Sequence, residues 1–92
     1  MNRQEFESYM NNWLKTWGQT IHDIETQNGG APSEVYKAKL DEMKIVLHDM
    51  RTKVEDLQNS KDDKSWSDMK VRVEDMVGPI EESFKESLAY FH

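Results

Sequence analysis

Histidine is the first side chain to test for chemistry here, because imidazole ligates metals and exchanges protons near neutral pH. The chain has His22, His48 and His92. His22 shares a helix face with Glu25, but a tetrahedral metal site needs further donors at the same level. The helical register developed below sets His48 several turns from His22, and His92 is the final residue. Solvated histidines are therefore expected, with no metal site. No Ser-His-Asp order, HExxH pair or glycine-rich phosphate loop is present. Gly29-Gly30 follows a helical pattern rather than a strand, so it opens a hairpin and does not cradle a nucleotide. Most carboxylates fall at outward helical positions, where solvation is the default. The reading is of a non-enzymatic chain without a cofactor.

Two apolar features remain. Met10, Met43, Met50, Met69 and Met76 all fall on the inward seams described below. Methionine fills irregular gaps but specifies packing poorly, so the core is soft, and a soft core could open toward lipid or a partner helix. Ile45 and Val71 occupy outward positions, and Val46 with Val77 flanks the seam between the second and third helices. Gathered at one groove, these four would form an interaction patch suited to a second copy of the chain.

The elements that must position these residues read clearly. From Tyr36 to Leu57 the apolar residues Tyr36, Leu40, Met43, Leu47, Met50, Val54 and Leu57 recur at alternating intervals of 4 and 3, the heptad spacing of a helix that packs on helices. Phe6, Met10, Trp13, Trp17, Ile21 and Ile24 form a similar stripe, widened by Tyr9 and Leu14. Trp66, Met69, Val73, Met76 and Ile80 form the third, continued after a one-residue slip by Phe84, Leu88 and Phe91. Asn28-Gly29-Gly30 stops the first helix, and Ser33 as N-cap, or Pro32 as first helical residue, starts the second. The polar run from Asn59 to Lys64 is the second turn, and Ser65 with Asp68 resembles a capping box. Gly78-Pro79 predicts a kink in the third helix, because proline lacks an N–H and crowds the preceding turn.

These elements predict an all-α, antiparallel up-down-up three-helix bundle, coiled-coil-like, forming a single domain over 1–92. The helices fall near 3–27, 33–59 and 65–91. Paired positions summing to about 60 around the first turn and about 123 around the second group Phe6 with Val54 and Met69. The same estimate groups Trp17 with Met43 and Ile80, and Ile21 with Leu40 and Phe84. Trp66 then caps the bundle over Leu57. Acidic Asp23 and Glu25 near the end of the first helix oppose its dipole and predict fraying there.

Composition limits the partners. The formal charge is −6, with 36% hydrophobic and 33% charged residues and no cysteine. That balance opposes general binding to nucleic acid or to anionic membranes. No apolar run approaches membrane-spanning length, and a cytoplasmic location is the simplest expectation.

Trp17 followed by Ile21, Tyr36 opening the second helix, and the run Trp66, Met69, Lys70, Val73, Glu74 with later aromatics Phe84 and Phe91 together resemble small bacterial coiled-coil proteins of unassigned function. The match spans most of the chain through packing residues, and departs from that pattern at Gly78-Pro79 and at the entry to the second helix. The resemblance implies a helical bundle in a bacterial cell with a stress-related role, and supplies no catalytic residue. The function expected is structural or protein-binding, with a protein partner or a homodimer. The alternative is an amphipathic protein at a lipid or granule surface, behaving as phasins do.

Overall fold

The computed structural model describes residues 2–27 and 34–89. Within them lie three helices, α1 (Arg3–Gln27), α2 (Glu34–Gln58) and α3 (Asp63–Leu88). They pack side by side into a rod of about 48 × 19 × 18 Å. Ser33 and Phe91, assigned above to helix starts and ends, lie outside the described residues.

Where a helix start is described, a side chain satisfies its free backbone N–H groups. The Asn2 carboxamide Oδ1 accepts from the Glu5 amide at 2.8 Å, which fixes the first turn of α1. At α3 the cap is Asp62, not Ser65. The Asp62 backbone is extended, and its Oδ1 accepts from the Ser65 amide at 2.6 Å, so Ser65 is the donor three residues in. A carboxylate at this position accepts more strongly than a hydroxyl and faces the positive end of the dipole. That bond holds the Asp62 carboxyl below its usual range.

The core is built from the three seams. Phe6, Met10, Trp13, Leu14, Ile21 and Ile24 are buried on α1, with Met43, Leu47, Met50, Val54 and Leu57 on α2, and Trp66, Val73 and Phe84 on α3. Met69 and Met76 are only partly buried beside this core, so the methionine content is deepest on α1 and α2.

Two registers differ from the simple estimate. A Cβ placed on Gly18 would sit 3.8 Å from Leu47 and 3.7 Å from Arg51, so α1 faces α2 about one turn further along than the pairing of Trp17 with Met43 requires. Phe84 lies against Trp17 at 4.8 Å and Trp13 at 6.3 Å between ring centroids, one to two turns from its estimated level at Ile21. Side chains of the antiparallel α1 and α2 lean toward opposite ends of the bundle, which an estimate drawn from turn centres omits for that pair. The capping position of Trp66 near Phe6 follows the estimate, with their rings edge to face at 6.0 Å.

α3 runs through Gly78-Pro79 to Leu88 without a break. Gly78 and Pro79 are both exposed, so the carbonyl that loses its donor to Pro79 lies on the outward side of α3, where water can reach it. Apart from its chain neighbours and its own helix backbone, a Cβ placed on Gly78 would meet no heavy atom within 4 Å, and one on Gly18 would meet only α2. At the far end of α1, Glu25 is held by Lys44 of α2 at 2.6 Å. The hydrogen bond and charge of Lys44 keep the Glu25 carboxyl below its usual range, and a cation beside this end offsets the unfavourable dipole.

Candidate interaction groove

α2 packs closely on both neighbours, whereas α1 and α3 are joined chiefly by aromatic rings. Phe6 meets Trp66, and Trp13 and Trp17 meet Phe84. These large side chains fill the wider of the seams. Buried indoles carry a polar N–H that must find an acceptor. Here each of two tryptophans finds it on the opposite helix.

Trp13 Nε1 of α1 donates to Glu81 Oε1 of α3 at 2.6 Å. Trp66 Nε1 of α3 donates to Glu7 Oε1 of α1 at 3.2 Å. The two clasps are mirror arrangements in sequence terms, each a tryptophan on one helix and a glutamate on the other. They differ in one respect. Arg3 Nε donates to the same Glu7 Oε1 at 3.1 Å, and the guanidinium carbon lies 5.7 Å from the Trp66 ring centroid. Arg3 also donates from Nη2 to the carbonyls of Gln58, at 3.1 Å, and Ser60, at 2.9 Å, tying α1 to the end of α2. Among the described residues no lysine or arginine forms an ion pair with Glu81.

Between and beside the clasps the surface is concave. One hollow of about 430 Å³ is lined by Phe6, Tyr9, Lys70, Glu74 and Val77. A second, of about 360 Å³, is lined by Tyr9, Asn12, Trp13, Thr16, Trp17 and Glu81. Tyr9 lines both, so the two hollows adjoin along the α1–α3 groove. Tyr9 is 42% exposed although its ring reaches Phe6 at 6.4 Å. In the first hollow Lys70 is engaged, 5.5 Å from the Phe6 ring centroid and 3.7 Å from Glu74. On the α1 wall, Lys15 is the only charged residue from Ser8 to Ile21. It lies on the opposite flank, facing α2 with Arg51 and Glu55. The wall of the second hollow is thus neutral except for Glu81.

The four residues expected to form an interaction patch do not share a face. Ile45 and Val71 are 63% and 56% exposed on the backs of α2 and α3. Val46 packs against the core, and Val77 turns into the α1–α3 groove beside Phe6 and Tyr9. The reason lies in helical geometry. Val71 is two residues before buried Val73 and so points away from the core, while Val77, four residues after it, returns to the inward side.

His22 and His48 are exposed on separate helices, and His92 lies outside the described residues. No group of three or more metal-ligating side chains assembles among the described residues. Among them, too, no helix is long and apolar enough to cross a membrane. Glu7 and Glu81 escaped the reading of the sequence. The signal was available in the need of Trp13 and Trp66 for acceptors, and in the neutral run around Trp13 within a chain one-third charged. Comparison with family models, with curated proteins and with solved structures finds no match to this chain.

Proposed function

We propose that this chain is a non-enzymatic, cytoplasmic protein-interaction module that seats a partner protein in the α1–α3 groove. The observation that carries the reading is Tyr9, a large aromatic side chain 42% exposed over a groove floored by Phe6, Trp13 and Trp17. Protein interfaces favour tyrosine and tryptophan and exclude charge at their centres. The α1 wall has that composition, while the rest of the surface is densely charged and suits solvent. The groove is also carried by rigid helices rather than loops, so its shape exists before a partner arrives.

The test is site-specific photo-crosslinking. A photoreactive phenylalanine replaces Tyr9 in one preparation and Ile45, on the back of α2, in another, and both are irradiated in extracts of source cells. An adduct of discrete mass from the Tyr9 position alone, identified by mass spectrometry as one protein, is the expected result. Identical adducts from both positions, or none from Tyr9, would refute the reading.

A further inference from the structure

The two glutamate–tryptophan clasps permit a comparison inside one molecule. In the first, Glu7 and Trp66 are completed by a guanidinium, with Arg3 bonded to the carboxylate at 3.1 Å and lying 5.7 Å from the indole ring centroid. In the second, Glu81 and Trp13 make the same indole-to-carboxylate bond at 2.6 Å, and no described cation pairs with the carboxylate. Glu81 is partly buried and lines the hollow that it shares with Tyr9, Trp13 and Trp17. We infer that the Glu81–Trp13 clasp takes an arginine side chain from the partner protein, in the manner in which Glu7 and Trp66 take Arg3.

Three physical points support a guanidinium. The Glu81 carboxylate has about four lone-pair directions and the indole uses one, leaving acceptors for a planar fork of donors. The Tyr9 and Trp17 rings at the same hollow offer π-faces, on which guanidinium stacks better than ammonium. The net charge of −6 favours a cationic partner at long range. Lys85, the next cation along α3, lies one turn beyond Glu81, is exposed, and forms no ion pair with it. The hollow of about 360 Å³ has room for one such side chain.

This inference rests on the groove being the interaction face, and its test is separate from the crosslinking one. Trp13 and Trp66 each give an indole N–H signal in a ¹⁵N-labelled sample, so the open and filled clasps are read side by side. The probe is N-acetyl-arginine amide, with N-acetyl-citrulline amide as neutral isostere, at constant ionic strength. Saturable movement of the Trp13 indole signal with the arginine probe alone, and a still Trp66 signal, is the expected result. Glu81→Gln retains an acceptor for the indole and should abolish that movement while leaving the fold intact. Arg3→Met opens the other clasp, so the Trp66 signal should then acquire a response to the arginine probe. Equal movement with arginine and citrulline, or an undiminished response in Glu81→Gln, would overturn the inference. If crosslinking at Tyr9 succeeds while the arginine response is absent, the groove binds its partner through other chemistry. The inference then falls and the interaction reading stands.

Discussion

The placement of Phe84 between Trp13 and Trp17 can be tested as a coupling energy. Phe84 is 1% exposed, and its ring centroid is 4.8 Å from that of Trp17 at an interplanar angle of 59°. Truncating a buried phenylalanine to alanine costs about 3–5 kcal/mol. A chain of 92 residues has a total stability of roughly 5–14 kcal/mol on the usual per-residue scale. Alanine would thus remove a large part of the stability, and leucine is the better probe. Phe84→Leu, Trp17→Leu and the double variant form a cycle that isolates the ring–ring term, about 0.5–1.5 kcal/mol for an aromatic pair in this geometry. Urea unfolding followed by far-ultraviolet circular dichroism supplies each free energy, and the signal does not depend on the removed tryptophan. A second cycle pairs Phe84→Leu with Ile21→Val, the partner that symmetrical turn geometry assigns. The Trp17 coupling should exceed the Ile21 coupling by about 0.5 kcal/mol or more, beyond the scatter of additive sites. The reverse order would refute the observed register and restore the pairing drawn from turn centres.

The clasps, caps and glycines make further predictions. Glu81→Ala leaves the buried Trp13 N–H without its acceptor and should cost about 1–3 kcal/mol, whereas Glu81→Gln should cost much less, as read by urea midpoints. A methyl group at Gly18 would make only ordinary contacts with α2. Gly18→Ala should therefore stabilise by roughly 0.5–1 kcal/mol through helix propensity, seen as a raised thermal midpoint, whereas a methyl at Gly78 would crowd the Pro79 ring that follows it and forfeit that gain; a lowered midpoint for Gly18→Ala would mean that α1 and α2 lie closer than these contacts allow. The folded Asp62 carboxyl titrates below its unfolded value, so its capping contribution is complete above the unfolded pKa near 3.8 and is lost as pH falls through the folded one. Asp62→Asn, which caps without titrating, should flatten that part of the acid unfolding curve; an unchanged curve would rule out the cap as a contributor. Neutral lipid vesicles should leave tryptophan emission unshifted, and a blue shift with gained helix content would favour the surface-coat alternative.

The architecture was legible because it depends on periodicity. Seven apolar residues from Tyr36 to Leu57 at heptad spacing can bury one face only as a helix among helices, and the helix limits agree with the pattern to within three residues where described. The details that escaped depend on reach and on competition between equivalent residues. Asp62 and Ser65 are both competent caps, and only the backbone geometry shows which one accepts. Val77 belongs by spacing to either flank of α3, and only its neighbours Phe6 and Tyr9 at the hollow show which side it takes. Glu81 reads as one more surface carboxylate until Trp13 is placed across from it. Polar pairing across the α1–α3 seam has no sequence periodicity, because it joins residues 68 positions apart through side chains of different length.

That seam also has the least direct helix-to-helix packing. α1 and α3 run parallel and are connected through α2, which packs against each as an antiparallel neighbour. Opening the α1–α3 side leaves both of those contacts in place, so it is the seam that can yield at least cost to the rest of the bundle. Aromatic rings keep the two helices apart, and the clasps hold them together without filling the space between. The Arg3 clasp secures one end of the bundle by its bonds to the terminal carbonyls of α2. The Glu81 clasp has no such tether, and beside it lies the neutral, aromatic wall of α1. A partner that supplies a guanidinium there would complete the second clasp from outside and stiffen the seam. Binding and stability are then linked: a ligand bound only by the folded groove must raise the unfolding midpoint with its concentration. The midpoint of Glu81→Gln, which lacks the charge but keeps the fold, should stay fixed as the arginine-bearing partner is added.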